Sequence, residues 1–294
     1  MTSIETQEGY LDTPGGRVWY GIAGGGRGVP LLTLHGGPGF PHDYLEPLAA
    51  LGDDRPVVFY DQLGCGRSDR PDDPSLWTLE RFVEESAAVR DGLGLERIHL
   101  FGHSWGSMLA AECLIGGAPG VASLILASPI LSARRFRLDA ARLRAALPAE
   151  VADALARHEA AATTDSDDYQ AATREYYRRH LWGTAMTEVP EPLMRSRAGT
   201  NDAVYEQMWG PNEFAFTGTL GTFERIDRLG DLSVPTLLIC GRFDECTPEA
   251  TSSYAALIPG AELVVFEQSA HMAQFSEPEL YLNTVRDFLR RRDV

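Results

Sequence analysis

Residues Gly102-His103-Ser104-Trp105-Gly106 follow the apolar run Ile98-His99-Leu100-Phe101 and precede the helix-compatible stretch Met108-Leu109-Ala110-Ala111-Glu112. A G-x-S-x-G sequence between a strand and a helix has the form of a nucleophile elbow. Its glycines let the backbone turn sharply and leave the serine hydroxyl exposed above the sheet edge. Ser104 is therefore the candidate nucleophile. A serine needs a base, and the base needs an acid to orient it. Asp244 follows the strand-like run Pro235 to Cys240, and His271 follows the run Ala261 to Phe266, so the chain supplies serine, acid and histidine in an order that such sites use. In this reading His271 accepts the Ser104 proton and Asp244 steadies the imidazolium. His103 is not the base, because a residue beside the nucleophile on a tight elbow points away from it.

The reaction also needs donors for the developing oxyanion, commonly two backbone amides. One would come from Trp105. The other would come from Gly37 in His35-Gly36-Gly37-Pro38-Gly39, whose glycines permit close backbone approach. A phosphate-cradling role for this loop is disfavoured, since no Gly-Lys-Ser/Thr follows it. The loop Asp61 to Asp69, with Gly64-Cys65-Gly66, fails the dinucleotide pattern because residue 69 is Asp, and reads as a structural border of the site.

The elements that must position these residues alternate as strand and helix. Val29 to Leu34, Pro56 to Tyr60, Ile98 to Phe101 and Ala122 to Leu126 read as strands, with Leu79 to Leu93 as a crossover helix. Gly24-Gly25-Gly26 is a loop between a first hairpin and the next strand. From about Leu131 the pattern becomes helical, with an acidic tract at Thr163 to Asp168 and aromatic residues Tyr176, Tyr177, Trp182, Tyr205 and Trp209. Strand patterns return at Val234 to Cys240 and Ala261 to Phe266, and Leu280 to Leu289 closes as an amphipathic helix. The expected class is α/β, a mostly parallel sheet flanked by helices, with an inserted helical cap. The expected divisions are residues 1–130 and 226–294 for the core and 131–225 for the cap.

The net charge of −16 over 294 residues would repel phosphate backbones and anionic lipid, so neither nucleic acid nor membrane is an expected partner. The stretch Met1 to Glu8 lacks a basic region followed by an apolar one, and no run reaches the length of a membrane span, which reads as a cytoplasmic protein. Cys65, Cys113, Cys240 and Cys246 lack C-x-x-C spacing and are expected as reduced, half-buried thiols; a bridge between Cys240 and Cys246 is disfavoured. The histidines lack metal-ligand spacing, and no metal or organic cofactor is expected.

Together, His35 to Gly39, Asp61-Gln62-Leu63-Gly64-Cys65-Gly66-Arg67-Ser68, Gly102 to Gly106, Gly210-Pro211-Asn212-Glu213-Phe214 and Gly241-Arg242-Phe243-Asp244-Glu245 resemble the proline iminopeptidases of the α/β-hydrolase superfamily, including the tricorn-associated type and the related L-amino acid amidases. The likeness runs from about Gly9 to Leu289. It implies an α/β-hydrolase fold and a serine hydrolase that releases the N-terminal residue of short peptides or hydrolyses amino acid amides. It further implies that Glu213 and Glu245 recognise the substrate's free amine. The physical case agrees: a carboxylate in a partly enclosed pocket favours a cation, and a neutral ester would gain nothing from it. Adjacent Asp244 and Glu245 should diverge, so they are not a glycosidase pair. Two departures stand out: Ser107 where many relatives have glycine, and His103 before the nucleophile. An esterase or lactonase, or an aminoacyl transferase, would use the same three residues; a binding protein without turnover is disfavoured by their completeness. The preferred residue, the pathway and the oligomeric state stay open.

Overall fold

A computed structural model describes residues 6–184 and 186–293, so the residues before Thr6, part of the stretch read above for a leader, lie outside it. Eight strands form one sheet: β1 (Thr6–Thr13), β2 (Gly16–Ala23), β3 (Leu31–Leu34), β4 (Val57–Tyr60), β5 (Ile98–His103), β6 (Val121–Ala127), β7 (Thr236–Gly241) and β8 (Glu262–Phe266). Their order is β1-β2-β4-β3-β5-β6-β7-β8. The hairpin β1–β2 and the pairing of β2 with β4 are antiparallel, and the remaining pairs are parallel.

β3, β4, β5 and β7 are buried at every position, which follows from helices covering both faces of a parallel sheet. One face packs on α1 (Leu79–Gly92) and α2 (Trp105–Ile115) through Phe82, Val89, Met108 and Leu109. The other packs on a 3-10 helix, His42–Leu51, and on the C-terminal helix Pro278–Arg290, through Leu45, Leu48, Val285 and Phe288. Thr78 caps α1 by accepting from the Arg81 amide. β5 runs two residues beyond the expected Phe101, carrying the strand into the elbow.

Between β6 and β7 the described residues hold helices and no strand: α3 (Ala133–Ala145), α4 (Ala149–Ala161), α5 (Asp167–His180), α6 (Glu191–Ala198) and α7 (Asp202–Met208). The aromatic residues of this segment make its interior. Trp209 stacks on Phe216 with ring centroids 3.8 Å apart, and Tyr176 meets Phe214 edge-on. α6 docks on the 3-10 helix, where Arg195 pairs with Asp43 and Glu46. All four cysteines are free and buried rather than half-buried, because the segments that carry them pack inside the sheet and helix layers. Burial pushes Cys113 to about 11 and Cys240 to about 12, away from the reactive thiolate range.

Candidate active site

The parallel register places Gly102 opposite Leu34 and His103 opposite Ala127, so β5 ends between the loops that leave β3 and β6. Ser104 sits at that end with φ 55° and ψ −122°, a strained conformation for a side chain with a Cβ. The neighbouring structure enforces it. The Ser104 amide donates to Ala127 O at 3.0 Å, and the Ser107 hydroxyl donates to Ser104 O at 2.6 Å while accepting from the Ile130 amide. The glycines are required by space: a Cβ on Gly102 would fall 2.2 Å from Gly106 O, and one on Gly106 would fall 2.0 Å from Leu34 O. Ser107, a departure in the sequence, thus ties the elbow to the segment after β6.

Asp244, in the turn after β7, and His271, in the loop after β8, meet over 27 residues of chain. His271 Nδ1 lies 2.8 Å from Asp244 Oδ1. The carboxylate is surrounded by donors: the Cys246 amide to Oδ1 at 2.8 Å and the Ser128 hydroxyl to Oδ2 at 2.6 Å. Burial opposes a charge on His271, but the charge and hydrogen bond of Asp244, aided by Glu213, outweigh it and raise its pKa. An imidazole stabilised as the cation is what a transient proton acceptor needs.

Gly37 follows β3 with φ 109°, and a Cβ there would meet the Phe40 amide at 2.6 Å, so glycine is required on both counts. Its N–H makes no hydrogen bond among the described residues, whereas the Gly36 N–H is committed to the Tyr44 hydroxyl at 2.7 Å. Trp105 opens α2, where a main-chain N–H has no intrahelical acceptor. The Trp105 indole donates to Gln62 Oε1 at 2.8 Å, and Gln62 Nε2 donates to His35 O at 3.0 Å, which ties the two loops together. The loop 61–69 is structural, as expected: the buried Asp61 carboxylate accepts from His42 Nδ1 and from the Arg67 amide.

A cavity of about 60 Å³ is lined by Gly37, Ser104, His271, Trp182, Tyr205 and Glu213, with further residues around them. The proposed nucleophile, base, oxyanion donor and one glutamate therefore share one space. Glu245 is 1 % exposed and lies beside Glu213. Burial raises both carboxyls, and Glu245 is pushed further by the charges of Glu213 and Asp244. The hydroxyls of Tyr176 and Tyr205 interact with this pair, yet Tyr176 Oη, Tyr205 Oη and Glu245 Oε2 have no partner in hydrogen-bonding geometry. Orphaned buried polar atoms around two carboxyls are unfavourable, and a cation bearing several N–H donors would relieve them. Asp244 and Glu245 do diverge, one to His271 and one to Glu213.

The α/β hydrolase fold family matches residues 29–278. A proline iminopeptidase of Heyndrickxia coagulans is 45 % identical over 96 % of this chain and 98 % of its own length. The chain belongs to the proline iminopeptidase family of α/β hydrolases. The crystal structure of the proline iminopeptidase of Mycobacterium smegmatis superposes with a TM-score of 0.91 at 38 % identity, covering 98 % of this chain and 99 % of that one. That of VinJ superposes at 0.93 and 35 %, covering 97 % and 99 %. The protein is accordingly a hydrolase.

Among the described residues of this iminopeptidase-family chain, two groups have side chains near enough to hold a cation, but their acids and histidines are already paired. Asp244, Cys246 and His271 form the first, where acid and histidine already bond. His42, Asp43 and Glu46 form the second, where Asp61 and Arg195 take the ligand atoms. Among the described residues no helix is long and apolar enough to cross a membrane. Ser128, Tyr44 and the tyrosines Tyr176 and Tyr205 were not legible as site residues. Ser128 and Tyr44 belong to no motif, and the tyrosines read only as aromatic content of the helical segment.

Proposed function

We propose that this protein is a serine aminopeptidase that removes the N-terminal residue, proline or another small apolar one, from short peptides, or hydrolyses the corresponding amino acid amides. The observation that carries the reading is the Glu213–Glu245 pair, with its orphaned oxygens, beside the cavity that holds Ser104. Ser104 Oγ attacks the first carbonyl as His271 takes its proton; Asp244 holds the imidazolium; the amides of Gly37 and Trp105 receive the oxyanion. His271 then protonates the leaving amine, and water releases the aminoacyl group. The two glutamates, one from each side of β7, hold the substrate ammonium, and residues 131–225 act as the cap that limits the site to small or extended substrates. The four unpaired thiols support a reducing, cytoplasmic setting.

The test is release of a chromogenic amine from prolyl, alanyl and phenylalanyl amides, each with a free or acetylated N-terminus, with Ser104→Ala as control. Turnover that requires Ser104 and is lost on acetylation is the expected result. Indifference to acetylation would remove Glu213 and Glu245 from the amine and leave a general esterase or amidase. Transfer of the aminoacyl group to an added amine in preference to water would make the protein a transferase.

A further inference from the structure

His103 and Tyr44 lie inside the molecule, next to the site, with no role in the chemistry proposed above. Both ring nitrogens of His103 are engaged: its Nε2 lies 3.1 Å from His271 O and its Nδ1 lies 3.0 Å from Tyr44 Oη. Tyr44 Oη in turn lies 2.7 Å from the Gly36 amide. All the groups are buried, and the direction of every bond is forced. A carbonyl can only accept, so His103 Nε2 carries the proton. Nδ1 is then the acceptor for the one proton of Tyr44, whose oxygen accepts from Gly36. The chain is complete only with neutral His103, and burial, helped by repulsion from His271, keeps its pKa down to about 3.

Resting on the assignment of Ser104 and His271 given above, we infer that Tyr44 and His103 are positioning residues, one buried hydrogen-bond relay that holds the main chain of His271 in register with the Gly36–Gly37 loop. Asp244 orients the imidazole, but a side-chain bond alone does not fix where the ring sits relative to Ser104. The main chain of His271 is held by His103 Nε2, since the one proton of the nearby Ser128 hydroxyl goes to Asp244. The His103 ring also meets the His271 ring edge-on, with centroids 4.7 Å apart. At the other end Tyr44 is clamped from the helical segment, since its amide donates to Ser196 Oγ at 2.9 Å and Ser196 donates to Pro41 O. The relay therefore joins α6, the anion-binding loop and the base.

The experiment compares Tyr44→Phe, His103→Ala, His103→Gln and the Tyr44→Phe/His103→Ala double variant, measuring kcat, KM and thermal midpoint, with Ser104→Ala alongside. Tyr44→Phe keeps the ring and removes only the hydroxyl. It is expected to lower kcat about tenfold, the worth of one such bond, with KM nearly unchanged. Gln can donate to His271 O and accept from Tyr44, so His103→Gln should recover most of what His103→Ala loses. The double variant should be no slower than His103→Ala, because both changes cut one relay. Multiplying losses, a loss confined to KM, unchanged kcat, or a His103→Gln variant as slow as His103→Ala would each overturn the inference. Full activity of Ser104→Ala would instead overturn the underlying assignment.

Discussion

Replacing Glu213 and Glu245 by glutamine should not be equivalent, and the difference follows from where the proton sits. Burial raises both carboxyls, but Glu245 also feels the charges of Glu213 and Asp244, while Glu213 is relieved by His271, Tyr205 and Glu245. Of the two, Glu245 therefore holds its proton more tightly and Glu213 ionises first. Glu213→Gln removes the member of the pair that ionises first and so offers its charge to the ammonium. A charge-assisted bond is worth about 1.5–3 kcal/mol, so kcat/KM on a free-amine substrate should fall about 10- to 150-fold. Glu245→Gln replaces the carboxyl that holds its proton more tightly and should cost less than about tenfold. The assay is kcat/KM on prolyl and N-acetylprolyl anilides for both variants, read as the free-to-acetylated ratio. That ratio should collapse in Glu213→Gln and survive largely in Glu245→Gln. A larger loss in Glu245→Gln, or equal losses on both substrates, would refute the reasoning.

The pH profile should carry the same groups. His271 must be neutral to accept a proton, and its pKa lies above the ordinary histidine value of about 6.5. The acid limb of kcat/KM should therefore fall above that value and move to lower pH in Glu213→Gln, because one of the charges raising His271 is gone. Ser128→Ala withdraws a 2.6 Å donor from Asp244 and should lower kcat about tenfold with the fold intact by circular dichroism. Gly106→Ala forces a Cβ onto Leu34 O, and a thermal melt should show destabilisation of more than about 3 kcal/mol or no soluble protein.

The motif at Ser104 was legible because it depends on local backbone requirements that glycine alone meets, and those lie in adjacent residues. Asp244 and His271 were legible through their place after strands, since every parallel strand delivers its following loop to the same edge. Strand positions were likewise readable from apolar runs, to within two residues at their ends. Ser128 and Tyr44 were not, because their partners lie 116 and 59 residues away and nothing in their neighbourhood marks them. The bond of His103 to His271 O was not legible, because it depends on how two loops pack. The amine-facing role of Glu213 and Glu245 came from resemblance, and the orphaned tyrosine oxygens around them exist only once α5, α7 and the turn after β7 are assembled. Ser107 shows the same limit: a departure in sequence that proves to bond both the elbow and the segment after β6.

Asp244 and Glu245 are consecutive residues, so their Cα atoms are held about 3.8 Å apart by a single peptide unit. In the proposed reading one sets the histidine that takes the serine proton, and the other meets the amine. Their spacing is covalent and does not depend on the helical segment. The turn after β7 thus behaves as a ruler one residue long, graduated from the ammonium to the bond that breaks. Length selection, cutting after one residue rather than two or three, would then rest on this turn together with Glu213, leaving the rest of the segment between β6 and β7 free to vary which side chain is accepted.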